Sequence, residues 1–112
     1  MKALLAAALA GLIPAMAQAE LQPLNLRFTC DRGVELPVVF VTESGGDSVA
    51  ILYVEGRQNL LFQEPSASGA RYGWPSDGSA YVLWVKGQEA TVFWRDGETG
   101  TETRLYSCTQ AD

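Results

Sequence analysis

Residues 80–95, AYVLWVKGQEATVFWR, decide the fold class of this chain. Two runs of β-branched and aromatic residues, 80–86 and 90–95, stand on either side of a short polar segment, KGQE at 86–89. Runs of this composition favour β-strands, and a glycine-containing polar segment between two of them is typical of a hairpin turn. The stretch therefore predicts two neighbouring antiparallel strands.

The first of these strands is apolar on both faces. Side chains alternate between the two faces of a strand, so Tyr81, Leu83 and Val85 share one face while Val82 and Trp84 share the other. We expect this strand either to lie in the centre of the sheet or to present an exposed aromatic face to a partner.

The rest of the chain repeats this pattern on both sides of the hairpin. Short apolar runs alternate with clusters of Gly, Asp and Ser, and no helical periodicity is present. Seven or eight short consecutive strands favour a small closed barrel over an open sheet, because closure removes exposed strand edges. The predicted fold is therefore all-β, a small antiparallel β-barrel. The other strands are expected at 25–30, 35–41, 49–54, 57–63 and 102–108, with the eighth near 68–74.

Residues 64–79, EPSASGARYGWPSDGS, interrupt the strand pattern. They contain two prolines, three glycines and four serines. Long irregular segments inside a small domain commonly carry function. Tyr72 and Trp74 argue against disorder here, because disordered segments are poor in aromatic residues.

The first nineteen residues have the form of an export signal. Lys2 is followed by the apolar run 3–15, which is too short for a transmembrane span, and the tripeptide AQA at 17–19 fits a signal-peptidase site. We therefore expect residues 1–19 to be a signal peptide and residues 20–112 to form a single domain. No cysteine lies near the cleavage point, so we expect no lipid anchor and a soluble protein in the periplasm.

Cys30 and Cys108 are the two cysteines of the chain and lie near the two ends of the predicted domain. An even number of cysteines in an exported protein favours a disulfide. A bridge around almost the whole domain would stabilise it by roughly 4–5 kcal/mol in the loop-entropy model. We expect this one bond to close the barrel.

The composition argues against several classes of function. The chain carries 8 Lys+Arg and 13 Asp+Glu, and loss of Lys2 with the signal would change the net charge from −5 to −6. Nucleic acid is therefore not an expected partner. The chain has no histidine, which argues against zinc, haem and histidine-based catalysis. A Ser68–Lys86 nucleophile pair is the remaining option, but a solvated turn lysine is protonated and does not act as a base. We expect no enzymatic activity, metal or cofactor.

Two segments, SASGARY at 66–72 and YVLWVKGQEAT at 81–91, carry a more specific signal. Together they resemble the membrane-bound and periplasmic inhibitors of c-type lysozyme, which have a Ser-Gly-x-x-Tyr element followed by a Tyr…Trp-x-Lys-Gly-x-Glu-Ala element. Those inhibitors also have a strand that ends in Cys-Asp and a cysteine near the C-terminus, which Cys30-Asp31 and Cys108 match. The resemblance covers nearly the whole predicted domain and, without a lipid-anchor cysteine, is to the periplasmic branch.

The sequence departs from that family at three places. Val85 stands where Ser or Thr is usual, Gln88 stands where Asp is usual, and the segment 73–79 is a few residues longer. These differences bear on the details of the contact and on which lysozyme is preferred.

The resemblance implies an inhibitor that inserts a loop and the amine of Lys86 into the catalytic cleft of a c-type lysozyme. The Ser68 hydroxyl would add a hydrogen bond, while Tyr72 and Trp74 would supply aromatic contact area. The oligomeric state, monomer or homodimer, stays open. The residues implied in lysozyme binding are Ser68, Gly69, Ala70, Arg71, Tyr72, Trp74, Lys86 and Gly87.

Two other hypotheses stay open beside this one. In the first, the barrel mouth or the aromatic loop holds a small ligand or an envelope glycan and the protein inhibits nothing. In the second, the protein is purely structural. Outside the two motifs, Lys86 would be an ordinary solvated lysine, Ser68 an ordinary loop residue and Tyr72 a side chain packed on the barrel.

Overall fold

The computed structural model describes residues 20–111, so the predicted signal peptide at 1–19 lies outside the described residues. Eight strands and one short 3-10 turn make up this part of the chain. No helix within it has the length and the apolar character needed to cross a membrane. The elements are β1 (Leu21–Cys30), the 3-10 turn (Asp31–Gly33), β2 (Glu35–Glu43), β3 (Ser48–Val54), β4 (Arg57–Glu64), β5 (Ala70–Gly73), β6 (Ala80–Lys86), β7 (Glu89–Arg95) and β8 (Glu102–Gln110).

The strands form one closed antiparallel barrel in the order β1 to β8. Each strand pairs with the next along the chain, and β8 returns to pair with β1 from Phe28↔Gln110 to Cys30↔Cys108. The predicted all-β barrel is therefore confirmed, and β5 is the eighth strand expected near 68–74. Strand β1 begins at Leu21, four residues before the predicted start, because it follows β2 as far as Glu43.

Alternate side chains of the strands fill the inside of the barrel with apolar atoms. Strand β6 forms part of the barrel wall. Its Leu83 is fully buried inside the barrel, while Trp84 lies half-buried on the outer surface. Val82 belongs to the outer face and is nevertheless fully buried, so the strand is both central and aromatic on its outer side. The other inward residues with essentially no exposure are Phe28, Leu36, Val38, Ala50, Leu52, Ala90 and Val92.

The seam between β1 and β8 is closed by the predicted disulfide between Cys30 and Cys108, whose presence is confirmed. Beyond this bond β8 has no strand on its β1 side, so its backbone groups need other partners. The carboxylate of Asp31 accepts a hydrogen bond from the Ser107 amide at 3.0 Å, and Arg32 donates to the Leu105 carbonyl at 2.6 Å. The 3-10 turn thus completes the wall that the short pairing leaves open.

Because the strands run up and down in sequence, successive connections lie at opposite ends of the barrel. We call the end that carries the turn 44–47, the loop 65–69 and the turn 87–88 the lysine end. The aromatic end carries the turn 55–56 and the loops 74–79 and 96–101.

Both termini of the described chain lie at the lysine end. The Glu20 amide donates to Ser44 Oγ at 3.2 Å, and the Gln110 amide donates to the Gln88 carbonyl at 2.8 Å.

Candidate functional site

The loop 65–69 and the end of β6 touch at Gly69. This glycine has a φ of 66°, in the left-handed region that favours glycine. A Cβ at this position would lie 2.5 Å from the Val85 carbonyl oxygen and 3.2 Å from the Lys86 Cβ. Only a glycine lets the loop approach the end of β6 so closely, and Ser68 and Lys86 are thereby neighbours, as the sequence motifs predicted.

Trp84 holds the tip of this loop. Its indole Nε1 donates a hydrogen bond to the Ser68 carbonyl at 2.9 Å, and Ser66 Oγ donates to the same oxygen at 2.6 Å. Within residues 20–111 the Ser68 hydroxyl itself makes no hydrogen bond, so it is free to bind a partner. The sequence interpretation did not give Trp84 this task, although a residue two before Lys86 shares its strand face.

Lys86 is exposed at the end of β6, and Gly87 begins the turn to β7 with a φ of 60°. The Lys86 Nζ lies 5.9 Å from the centre of the Trp84 ring, a distance at which a cation–π attraction acts. It forms no salt bridge with any residue that the structure describes. Lys86 is the one lysine among residues 20–111, and its ammonium group has no carboxylate partner within that part of the chain.

An open cleft of about 610 Å³ separates the loop 65–69 from the turn 44–47. Three acidic side chains line it, Glu43, Asp47 and Glu64. A hydrogen bond to Asp47, together with the negative charge of that residue, raises the pKa of Glu43 above its ordinary value. The lysine end therefore combines the unpaired Lys86 amine with an acidic wall.

Arg71 is held in a network of charges on the outer wall of the barrel. Its guanidinium donates to Glu102 at 2.6 Å and lies 3.5 Å from Glu64, and Arg95 binds the same two carboxylates at 2.6 and 2.9 Å. All four side chains are about a quarter exposed or less, and Arg71 also lies over the Phe93 ring. Phe93 pairs with Val82, so the network covers the buried outer face of β6.

This network shifts the pKa values of its members. Burial by itself would raise the pKa of Glu102, but the hydrogen bonds and charges of Arg71 and Arg95 outweigh it and lower that pKa. The hydrogen bond to Glu64 raises the pKa of Arg95 above its ordinary value. Arg71 thus has its Nε and one terminal nitrogen engaged with carboxylates of the protein itself, and its part in lysozyme binding stays a prediction.

The aromatic contact area expected from Tyr72 is not at the surface. Tyr72 is 5% exposed and packs on Phe40 with ring centres 5.5 Å apart. Its hydroxyl lies within hydrogen-bonding distance of Ser48 Oγ, at 3.3 Å. Tyr72 lies on an inward position of β5, where its ring fills the core, and is therefore neither an exposed ring nor a loop side chain packed on the barrel; its part in lysozyme binding stays a prediction.

Trp74 is exposed but lies at the aromatic end, away from Ser68 and Lys86. It follows β5, whose start adjoins the loop 65–69 and whose end adjoins the loop 74–79. The structure thus brings together Ser68, Gly69, Lys86 and Gly87, with the half-buried Ala70 beside them, and separates Trp74 from this group. No group of three potential metal-ligating side chains occurs among the described residues.

Comparison with known proteins gives a consistent result. Residues 28–100 match the family model described as membrane-bound lysozyme inhibitor of c-type lysozyme. Curated proteins with that name are similar over part of their length: one from Pseudomonas aeruginosa is 32% identical over 83 residues (71% of this chain, 61% of the relative). One from Escherichia coli is 40% identical over 72 residues (64% and 59%), and one from Cupriavidus necator 36% over 67 residues (60% and 50%). The chain thus covers between half and about three fifths of the curated relatives it matches.

Two solved structures share the fold. MliC of Pseudomonas aeruginosa, determined in complex with hen egg white lysozyme, superposes with a TM-score of 0.64 at 23% identity and covers 88% of this chain and 92% of its own. PliC-St, the periplasmic lysozyme inhibitor of c-type lysozyme from Salmonella typhimurium, gives 0.63 at 22% identity, with coverage of 81% and 100%. These likenesses establish the barrel, and the family model, which matches well over half of the chain, establishes its kinship. The chain belongs to the family of membrane-bound lysozyme inhibitors of c-type lysozyme.

Proposed function

We propose that this chain is a protein inhibitor of c-type lysozyme that inserts the loop 65–69 and the amine of Lys86 into the catalytic cleft. The observation that carries the proposal is the hydrogen bond from Trp84 Nε1 to the Ser68 carbonyl, which holds an exposed loop beside an unpaired lysine. The names of the relatives, and the lysozyme bound to MliC in its crystal structure, support the same conclusion.

The chemistry of the target suits a single ammonium group. A c-type lysozyme is a retaining glycosidase that uses a glutamic acid with a raised pKa and an ionised aspartate, with the two carboxyl groups about 5 Å apart. The Lys86 amine would lie between these groups, and the Ser68 hydroxyl would donate to one of them. Since Lys86 has no carboxylate partner within residues 20–111, no internal salt bridge has to break when it binds.

The acidic wall of the lysine end would add attraction at longer range. Glu43 and Asp47 flank the loop without a salt bridge inside the described residues, whereas Glu64 is paired with Arg71 and Arg95; the unpaired negative charge would attract a basic lysozyme. Complementary charge of this kind raises the rate of association more than it raises the final affinity. The exposed serines and alanine of the loop then occupy the space of a sugar ring.

In this proposal the protein acts in the periplasm and catalyses no reaction. Residues 1–19 would direct export and be removed, and the domain 20–112 would act in the periplasm as a soluble protein. The domain would bind its target without turning it over, because the proposed contact uses only a cation and a hydroxyl and transfers no group.

The experiment is a titration of hen egg white lysozyme with the purified protein while the lysis of a peptidoglycan suspension is followed. We expect inhibition that saturates at one inhibitor per enzyme. Lys86→Ala should lose more than about 2 kcal/mol of binding, since it leaves two enzyme carboxylates buried without a cation. Arg104→Ala is the matched control, because it removes another exposed cation from β8 and should inhibit like the wild type.

Two results would contradict the proposal. Full lysozyme activity in an excess of the wild-type protein would exclude inhibition altogether. Wild-type inhibition by Lys86→Ala would keep the function but remove the lysine from it.

A further inference from the structure

A second cleft, of about 620 Å³, opens at the aromatic end of the barrel. Its volume lies in the range of small-molecule sites. We call it the aromatic cleft. It is lined by the rings of Trp74, Tyr81 and Trp94 and by the polar side chains of Glu55, Arg57 and Asn59. It has no part in the proposed inhibition, because it lies at the end opposite to Lys86.

The two indoles of the aromatic cleft are fixed and still accessible. Trp94 packs edge to face on Tyr81 with ring centres 5.0 Å apart, and Trp74 packs on Phe62 at 6.1 Å. Trp74 and Trp94 nevertheless keep 42% and 39% of their surface exposed. Each indole is thus held by a second ring while one side remains open to a ligand, which lowers the entropy lost on binding.

The polar groups around these rings are also held in place. Glu55 has a φ of 52° in its turn, and its carboxylate accepts hydrogen bonds from the Tyr81 and Tyr106 hydroxyls. Each carboxylate oxygen keeps a further lone pair for a ligand. The Asn59 amide nitrogen donates to the Arg57 carbonyl at 3.1 Å and to the Leu52 carbonyl at 3.5 Å, and its Oδ1 accepts no hydrogen bond within residues 20–111. The Arg57 side chain forms no salt bridge within the described residues.

Flat apolar rings surrounded by fixed donors and acceptors suit one class of ligand in particular. A pyranose ring has an apolar face of C–H groups, which stacks on an indole, and a rim of hydroxyl groups, which need both donors and acceptors. A purely apolar ligand would cover the remaining acceptor sites of Glu55 and Asn59 and the Arg57 guanidinium without making hydrogen bonds to them, at a cost in free energy. We propose that the aromatic cleft binds an oligosaccharide, with one pyranose ring stacked on Trp94 or Trp74 and its hydroxyl groups bound by Glu55, Asn59 and Arg57.

The test is a titration of the ¹⁵N-labelled protein with N-acetylchitotetraose and, separately, with cellotetraose, followed by amide and indole N–H chemical shifts. The two probes differ in the acetamido group, so they distinguish an amino sugar from a plain hexose. We expect saturable shifts for at least one probe at the Trp74 and Trp94 indoles and at residues 55–59. The N–H chemical shift of the Trp84 indole, at the lysine end, should not change.

Variants assign the binding to the rings and keep it separate from the inhibition of lysozyme. Trp94→Ala and Trp74→Ala should each weaken the binding of the saccharide about tenfold. Leu24→Ala removes an exposed apolar side chain from β1, away from the aromatic cleft, and is the matched control. Lys86→Ala should retain the saccharide shifts whether or not the inhibition of lysozyme is confirmed.

Three results would overturn the proposal. One is the absence of saturable shifts with both probes. Another is binding that is unchanged in both tryptophan variants or that maps to the lysine end. The third is shifts at the aromatic end that follow the protein concentration and ignore the saccharide, because a second copy of the chain would then occupy the cleft.

Discussion

The two ends of the barrel obtain their shape in different ways. At the lysine end the loop 65–69 is held through its main chain. Gly69 permits the close approach of the loop to β6, and the Ser68 carbonyl accepts hydrogen bonds from Trp84 and Ser66. At the aromatic end the side chains hold one another, as Tyr81 does with Trp94 and Glu55. At the lysine end the Ser68 and Lys86 side chains therefore remain free for a partner. At the aromatic end the rings that stabilise one another are also the rings that a ligand would contact.

The core between the ends separates Ser68 and Lys86 from Trp94, whereas Phe62, which lines the cleft of the lysine end, also packs on Trp74. Leu83 and Val92 fill the barrel between them without exposure. Substitutions at separate sites without shared partners usually have additive effects. Variants of Lys86 and of Trp94 therefore serve as controls for each other.

The largest effect on stability is expected from loss of the disulfide, because it closes the barrel that carries both ends. Joint replacement of Cys30 and Cys108 by Ser removes a cross-link between positions 78 residues apart. It should lower the free energy of unfolding by roughly 4–5 kcal/mol in the loop-entropy model. Urea unfolding measures the loss, and wild-type protein reduced with dithiothreitol is the control. If hydrogen exchange showed loss of amide protection at one end alone, the barrel would not unfold as a single unit.

The next effect sharpens the difference between the ends. Gly69→Ala and Gly56→Ala both place a side chain at a positive φ, 66° and 81°, which costs about 1–2 kcal/mol of stability in each. Only the first new Cβ meets a backbone atom, the Val85 carbonyl oxygen. We expect Gly69→Ala to weaken lysozyme inhibition about tenfold or more, and Gly56→Ala to inhibit normally. Equal inhibition by both variants would show that the loop does not need this approach.

A smaller effect tests the indole hydrogen bond at the lysine end. Trp84→Phe keeps an aromatic ring beside Lys86 but removes the donor to Ser68. One hydrogen bond contributes about 1 kcal/mol, so inhibition should weaken about fivefold while the urea midpoint changes little. Tyr53→Phe, on the exposed side of β3, is the control. An unchanged inhibition constant in Trp84→Phe would show that the loop keeps its shape without the bond.

The smallest effect belongs to the aromatic end and appears in alkali. Burial, and then the hydrogen bond to Glu55, raise the pKa of Tyr81 from 10.0 to about 12. A pKa that is higher in the folded state gives stability below pH 10 that is lost as the pH rises towards 12. Urea midpoints between pH 9 and 12 should therefore fall less steeply in Tyr81→Phe than in the wild type. Tyr53→Phe should keep the wild-type slope, and identical slopes in all three proteins would exclude this source of stability.

The fold was largely predictable because local patterns encode it. Alternation along 80–95 gave both strands of the central hairpin, and the turn residues gave the up-and-down order. Where pairing continues past the core, as at Leu21–Leu24, exposed side chains give no alternation that marks the strand. The sequence therefore placed the start of β1 too late.

The candidate site was predictable only in part. The motifs place Ser68 and Lys86 together, and the bonding of the loop agrees. Tyr72 and Trp74 are separated by the end of β5 at Gly73: Tyr72 takes an inward position of the strand and fills the core, whereas Trp74 lies in the loop 74–79 at the aromatic end. The charge network could not be predicted from the sequence, because Arg71 and Glu102 lie 31 positions apart and become neighbours only in the closed barrel.

The position of the two termini has a practical consequence for binding assays. A fusion tag or a linker at either terminus would emerge next to Ser44 or Gln88 and crowd the face that we propose enters an enzyme cleft. A sensor surface coupled through the termini would therefore under-report affinity. Coupling through an exposed side chain of the loop 96–101, such as Glu98, would orient the molecule with its working face towards the solution.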